Sequence, residues 1–295
     1  LWAYWVAAKA REVLSPNLSL AFGVPAVDGY DGGLLPMAHY VRFSNLLLPG
    51  GTLDGRLREN LVTVPDTRWL SLLGVRFLIT DKTGDAWSDG VFYDRQFQPA
   101  LASGETLEIG WLPDDFDANA LGVLYQGAGE AEVMLKGGDV LHFSLGLVEA
   151  TSAPSEGDSA QEGGIRLRWP DPTPPSRITL RATSRLTLTG ASLIDERTGA
   201  FYPLVLSDHF RLVHSGDVKI YENLPGHHSL PRAFWVQHCV SAPSADALLA
   251  LMKTDAFDPT TQVALLDSPM SSVSGTPFVS STECVPIHDG LRGDP

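Results

Sequence analysis

Apolar and polar residues follow one pattern in the middle of the chain and another towards its two ends. Between about residues 104 and 206, short stretches of alternating apolar and polar residues are separated by Gly, Pro, Asp and Ser, with no helical period between them. This alternation predicts strands with one buried face. The predicted strands are residues 106–109, 120–125, 131–135, 140–148, 165–169, 177–182, 185–188 and 192–195. About eight short strands at this spacing indicate a β-sandwich.

The two ends of the chain carry helix signals that the middle lacks. Asp66 is the predicted N-cap of one helix, and Gly74 is its predicted end, because glycine readily adopts the left-handed conformation that terminates helices. Ser244 is the predicted N-cap of a second helix, with Asp246 in its first turn.

Three apolar strands are also predicted outside the middle segment, at residues 75–80, 218–221 and 233–236. We expect them to share one sheet, since strands on either side of an inserted all-β segment need a common core. The nearly continuous apolar run of residues 75–80 predicts a central position in that sheet. Arg76 is the exception within it, and it either lies on a solvated face or reaches a carboxylate such as Glu222.

The strand predicted at residues 218–221 has an alternating pattern of its own. Val218 and Ile220 alternate with Lys219 and Tyr221, which predicts a half-buried strand. Its position between the β-rich middle and the C-terminal helix makes it the element around which the outer part of the chain is organised.

These patterns predict an α+β fold. A mixed-sheet module is built from both ends of the chain, residues 1–103 and 206–270, and a jelly-roll-like β-sandwich, residues 104–205, is inserted into it. Residues 271–295 are rich in Ser, Pro, Gly and Thr, which predicts a tail or linker. The order of the inserted strands resembles the jelly-roll modules that often bind carbohydrate.

Charge narrows the classes of partner. The formal net charge of -14, without any run of Lys or Arg, disfavours nucleic acid and anionic lipid surfaces. No apolar stretch approaches the roughly 20 residues that a membrane-spanning helix needs.

Several short motifs resemble a known family. Val-Lys-Ile-Tyr-Glu-Asn at 218–223, Leu-Pro-Arg-Ala-Phe at 230–234 and Leu-Gly-Val-Arg-Phe-Leu-Ile-Thr at 73–80 are similar to the extracytoplasmic part of bacterial YfhO-type membrane proteins. Gly-Tyr-Asp-Gly at 29–32 fits the same resemblance. These polytopic proteins are related to lipid-linked-sugar glycosyltransferases.

The resemblance implies a location outside the cytoplasmic membrane, with anchoring through transmembrane segments absent from this sequence. Sugar transfer belongs to the membrane-embedded part of the family, so no catalytic residue is carried over to this chain. A start at Leu1, without a methionine or a signal peptide, leads us to expect a segment of a longer polypeptide.

Acidic residues before the strand at 120–125 are the first candidates for a site. Asp114, Asp115 and Asp117 are possible calcium ligands, because Ca²⁺ prefers clustered oxygens. The spacing lacks the Gly and the terminal Glu of a helix-loop-helix calcium site, which favours a solvated acidic turn instead. With Trp111, Asp115 and Asp117 are the predicted ligand-binding residues, and no cofactor other than calcium is expected.

Tryptophan side chains are candidates for stacking on sugar rings, because their faces pack on the C–H surfaces of pyranoses. Trp87, Trp111 and Trp169 are the candidates, and burial in the core is the alternative for each.

The remaining reactive side chains lack catalytic or metal-binding motifs. His227 and His228 are adjacent, but neither HExxH nor paired CxxC occurs, and no G-x-S-x-G elbow is present. Cys239 and Cys284 are predicted to lie near one another and to form a candidate disulfide that ties down the tail in an oxidising compartment, with two unrelated thiols as the alternative.

These observations favour binding over catalysis. The predicted function is a non-catalytic, extracytoplasmic accessory or recognition domain of a cell-envelope membrane protein. Its expected partners are a neutral or cationic glycan, another envelope protein and the parent membrane domain, but not nucleic acid. An independent carbohydrate-active enzyme and a secreted structural module are the alternatives.

Overall fold

A computed structural model describes residues 18–27, 38–48, 50–51, 57–61, 63–148, 163–224, 230 and 233–266 of the chain. Contacts between residues divide the chain into two compact units. The first unit includes Arg76–Leu224, and the second includes Leu14–Val75 and Pro225–Pro295. The domain boundaries expected at residues 103 and 206 stay a prediction.

The first unit is built of strands. They are β1 (Phe77–Thr80), β2 (Ala86–Ser88), β3 (Val91–Tyr93), β4 (Ala100–Leu101), β5 (Thr106–Glu108), β6 (Ala120–Leu135), β7 (Val140–Val148), β8 (Gly163–Arg168), β9 (Pro175–Asp195), β10 (Ala200–Leu204), β11 (Phe210–Ser215) and β12 (Lys219–Asn223).

Two long antiparallel strands, β6 and β9, form the centre of a seven-stranded sheet. β10, β4 and β5 pair with the outer edge of β9, while β8 and β7 pair with successive halves of β6. The alternating pattern predicts two separate strands where β6 runs and three where β9 runs, and both predictions of separate strands are wrong.

Glycines at irregularities explain why these strands continue. The register of β6 against β9 shifts between Gly127 and Gly129, and Gly127 has a φ of 100°. A Cβ at Gly127 would collide with the carbonyl oxygen of Arg185. Glycine therefore permits a bulge that bends the strand without ending it.

The main core of the first unit lies on one face of this bent sheet. Both halves of the long strands contribute to it, through Leu121 and Val123 in the first half of β6 and Val133 and Leu135 in the second. The other face of the first half is also buried, because Tyr93 of the β2–β3 hairpin packs over it. The second half carries Glu130 and Glu132 on that face, which leaves it polar.

A three-stranded antiparallel sheet in the order β1-β12-β11 completes the first unit. Residues 75–80 and 218–221 therefore share a sheet as predicted. β1 is an edge strand among the described residues, so its predicted central position is wrong. Residues 233–236 form no strand, so their predicted place in the sheet is also wrong.

The second unit combines short helices with two strands. They are α1 (Leu18–Ala21), α2 (Ala38–Ser44), α3 (Leu57–Asn60), α4 (Thr67–Leu72), β13 (His238–Ala242), α5 (Ala245–Met252) and β14 (Gln262–Leu266). β13 and β14 pair in parallel. Trp69 stacks on Phe257 in the core of this unit, with ring centroids 6.0 Å apart.

Helix capping in the second unit agrees with the sequence. Asp66 caps α4 by accepting a hydrogen bond from the Arg68 backbone N–H, and Gly74 follows the helix with a φ of 66°. Ser244 caps α5 by accepting a hydrogen bond from the Ala247 backbone N–H. Both predicted N-caps are confirmed. No helix in the described part of the chain is long and apolar enough to cross a membrane.

The described chain is mostly β-sheet, arranged in several sheets, which agrees with the β-rich, sandwich-like architecture expected for its middle. The α+β class and the jelly-roll order of strands stay predictions.

Candidate functional site

The candidate site begins at Trp111, in the loop that joins β5 to β6. Just before it, the Gly110 N–H donates to the carbonyl oxygen of Ser207, in the connection between β10 and β11. A Cβ at Gly110 would collide with the backbone of Asp208. Glycine thus lets the loop approach this connection closely, which brings Trp111 beside residues of β10 and β11.

Aromatic side chains form one end of the site. The ring of Trp111 lies 5.9 Å from that of Tyr202 in β10, at an interplanar angle of 45°. The ring of Phe116 also lies near Tyr202, with the two ring centroids 6.0 Å apart. Burial raises the pKa of the Tyr202 hydroxyl, Arg211 opposes this shift, and the nearby negative charge of Asp115 adds to it. Tyr202 therefore stays protonated and able to donate a hydrogen bond.

Two arginines and a glutamate form the other end. Glu222, at the centre of the three-stranded sheet, has a side chain only 6% exposed. Arg211 donates from Nε and Nη2 to Glu222 Oε2, at 2.8 and 2.6 Å. Arg76 donates from Nε and Nη2 to Glu222 Oε1, at 3.2 and 3.1 Å. The sequence-based alternative in which Arg76 reaches Glu222 is therefore the correct one.

These hydrogen bonds keep Glu222 ionised. The bond from Arg211 is the main cause that holds the pKa of Glu222 below its usual range; burial opposes it, and Arg76 lowers the pKa further. Each arginine also lies over an aromatic ring, with Cζ of Arg211 5.8 Å from the Trp111 centroid and Cζ of Arg76 5.0 Å from the Phe77 centroid. Both guanidinium groups are therefore held in fixed positions.

The contacts link these side chains into one continuous group, which we call the aromatic–arginine strip. Its members are Arg76, Glu222, Arg211, Trp111 and Tyr202. Asp115 lies outside these contacts, and its negative charge acts on Tyr202 by raising the pKa of the hydroxyl. The strip combines aromatic faces with fixed polar groups of both signs.

The predicted aspartates do not converge. Asp114 is paired with Lys136, whose Nζ lies 3.0 Å from Asp114 Oδ1. Asp117 lies close enough to Arg197 to raise the pKa of its guanidinium, although the Asp195 hydrogen bond is the main cause of that shift. Of the three, only Asp115 acts on a residue of the strip, through the effect of its charge on Tyr202. Throughout the described residues, no three His, Cys, Asp or Glu side chains are grouped as a metal site requires.

The other two tryptophan candidates differ from Trp111. Trp169 is buried, and its Nε1 donates to the Ala118 carbonyl oxygen at 2.9 Å, so it belongs to the core. Trp87 is 68% exposed and contacts Phe92 and Phe201, each with its ring centroid 5.5 Å away.

Histidine and cysteine candidates fall mainly outside the described residues. His227, His228 and Cys284 all lie there. Cys239 lies in β13. The Cys239–Cys284 disulfide therefore stays a prediction.

A buried polar cluster in the first unit was not predicted. Lys219 in β12, 1% exposed, donates from Nζ to Asp85 Oδ1 at 2.6 Å and to Asp94 Oδ1 at 2.9 Å. The Tyr221 hydroxyl donates to Asp94 Oδ2 at 2.6 Å, and burial, helped by Asp94, raises the pKa of Tyr221 far above its usual value. With so little exposure, the cluster binds β12 to the segments that flank the β2–β3 hairpin.

Comparisons with known proteins give little guidance. No protein-family model matches the chain, and no curated protein matches it. A crystal structure of CapF with the inhibitor 3-isopropenyl-tropolone is 11% identical, with a TM-score of 0.20, over 40% of this chain and 32% of that one. A family two carbohydrate esterase from Cellvibrio japonicus is 12% identical, with a TM-score of 0.21, over 63% and 42%.

The capsular polysaccharide assembling protein CapF from Staphylococcus aureus is 11% identical, with a TM-score of 0.19, over 65% of this chain and 52% of that one. The chain thus spans between about a third and a half of the length of the solved structures that it matches. Similarity at this level carries no information about the fold or function of the chain.

Proposed function

We propose that this chain is a non-catalytic recognition domain that binds carbohydrate through the aromatic–arginine strip. The observation that carries the proposal is the contact between Trp111 and Tyr202, with the Arg211 guanidinium over the Trp111 ring. Aromatic faces pack on the C–H surface of a sugar, while fixed charged groups form hydrogen bonds with its hydroxyls.

We further propose that the domain acts outside the cytoplasmic membrane, as part of a YfhO-type protein whose transmembrane segments lie beyond this sequence. The motifs at residues 73–80 and 218–223 support this part of the proposal. Determining the polypeptide sequence on both sides of the segment tests it, and flanking regions without hydrophobic spans would contradict it.

A glycan array with the purified chain tests binding. We expect the wild type to bind a defined set of glycans, and Trp111→Ala to weaken that binding about tenfold, as loss of an aromatic contact does. Trp87→Ala is the matched control, because it removes an exposed tryptophan of the same unit that lies outside the strip. Equal losses in the two variants would argue against the strip.

An enzymatic role is the competing function, and Asp115 is the residue that tests it. If the wild type hydrolyses a glycoside and Asp115→Asn does not, the function of the chain is hydrolysis rather than recognition. We expect no turnover, because hydrolysis needs two carboxylates that face the glycosidic bond, and Arg76 and Arg211 already occupy both oxygens of Glu222, the carboxylate within the strip.

A further inference from the structure

Glu222 accepts hydrogen bonds from only some of the N–H donors of the two arginines in the strip. A guanidinium carries five N–H donors, and each arginine directs its Nε and Nη2 edge to the glutamate. Towards the residues that the structure describes, the Nη1 groups of Arg76 and Arg211 make no hydrogen bond. The side chains are 61% and 36% exposed, so these donors are accessible from solvent.

Charge at this end of the strip is also unbalanced. Two guanidinium groups share the single carboxylate of Glu222, which leaves one net positive charge on the three residues. The net charge of -14 belongs to the whole chain, and salt screens charges beyond about 8 Å. At contact distance, an acidic group therefore meets a group of residues with one net positive charge.

We propose that the carbohydrate bound by the strip is an acidic sugar, whose carboxylate or phosphate is held by the free donors of Arg211 and Arg76. Guanidinium groups match the planar carboxylate and the phosphate through paired N–H donors. The sugar ring contacts Trp111 and Tyr202, and Asp115 accepts hydrogen bonds from its hydroxyls. This inference rests on the proposed function, and it replaces the neutral or cationic glycan expected from net charge.

The geometry favours tight recognition because the arginines are already ordered. Glu222 and the aromatic rings hold both guanidinium groups before the ligand arrives, so little side-chain entropy remains to be lost on binding.

Calorimetric titration of the full chain with matched ligands tests the inference. Oligogalacturonate is compared with its fully methyl-esterified form, which keeps the rings and removes the charge. A sugar phosphate is compared with its neutral parent in a second arm, which distinguishes carboxylate from phosphate. We expect the acidic member of at least one pair to bind about tenfold more tightly than the neutral one.

Variants of the two arginines show whether these residues cause the preference for the acidic ligand. Arg211→Gln and Arg76→Gln should each reduce the ratio of acidic-ligand affinity to neutral-ligand affinity towards one. Arg211→Lys keeps the charge but loses the paired donors, so it should retain only part of the preference. Arg185→Gln is the control, because it removes an equal charge from an exposed site in β9.

The outcomes separate the two proposals. Equal affinity of the wild type for the acidic and neutral members of both pairs, or an unchanged preference in Arg211→Gln and Arg76→Gln, would overturn the inference alone. No binding of any of these sugars, together with a blank glycan array, would overturn the proposed function and the inference with it. Thermal unfolding of each variant identifies losses that come from misfolding.

Discussion

Lys219 shows how a single side chain can reverse the orientation inferred from an alternating pattern. Val218 and Ile220 were the residues expected to face inward. Val218 is buried, but within β12 Lys219 and Tyr221 are buried as well, and Ile220 is only half-buried. The buried positions are polar because Asp85 and Asp94 supply partners for both. A pattern of apolar residues does not detect such partners, which lie far away in sequence.

Replacing Lys219 by methionine should destabilise the first unit strongly. The change leaves the Asp85 and Asp94 carboxylates buried without their cation, which costs about 3–5 kcal/mol. Urea unfolding measures this as a lower free energy of unfolding. Lys136→Met is the control, because its exposed pair with Asp114 should contribute less than about 1 kcal/mol. Similar losses in the two variants would contradict the structural role of the cluster.

Asp195 should titrate at unusually low pH. Hydrogen bonds from Arg197, and then from Thr198, lower its pKa from 3.8 to about 2 against an opposing effect of burial. Because the folded-state pKa is depressed, the stabilising contribution is present above pH 3.8 and is lost as the pH falls towards 2. Carboxyl carbon NMR of the full chain measures the midpoint directly.

Arg197→Gln should raise that midpoint towards the ordinary value of about 3.9. Arg185→Gln, which removes the same charge elsewhere on β9, should leave it unchanged. If the Asp195 midpoint of the wild type lies near the ordinary value, the ion pair in the structure does not persist in solution.

At the scale of elements, the features that depend on local interactions were predicted correctly from local sequence signals. The N-caps of α4 and α5 depend on one side chain and a neighbouring backbone N–H, and both were found from sequence. The continuity of β6 and β9 depends on pairing partners across the sheet, so glycines that normally interrupt strands misled the prediction. The position of β1 was predicted wrongly for the same reason, because an apolar run does not show which strands pair with it.

Gly127 offers a test of the bulge that joins the halves of β6. Gly127→Ala should lower the free energy of unfolding by about 2 kcal/mol, because alanine is strained at positive φ and its Cβ collides with the Arg185 carbonyl oxygen. Gly146→Ala in β7 is the matched control, since a Cβ there meets no atom within 4 Å. Equal stability of the two variants in urea would show that the bend at Gly127 needs no glycine.

At the scale of the whole molecule, the candidate site depends on strand topology, which brings together residues that are distant in sequence. Trp111 and Asp115 were identified from sequence, because a tryptophan beside clustered carboxylates is a local signal. Arg211, Tyr202 and Glu222 were not identified as site residues. Glu222 is joined to Arg211 by the pairing of β11 with β12, and the close approach at Gly110 brings Trp111 beside Arg211 and Tyr202. The whole-chain charge of -14 likewise conceals a local pair of cations.

Unequal pairing within the two units should appear as unequal protection of backbone amides. β6 and β9 are paired along both edges and cover the main core of the first unit, whereas β13 and β14 in the second unit pair only with each other among the described strands. Opening a strand that is held on both sides disrupts more hydrogen bonds and more buried apolar contacts, so its amides exchange through rarer fluctuations. Hydrogen exchange of the full chain, followed by mass spectrometry, should therefore show the slowest peptides in the first half of β6 and its partner segment of β9. Peptides from β13 that exchange as slowly as those from β6 would contradict this order.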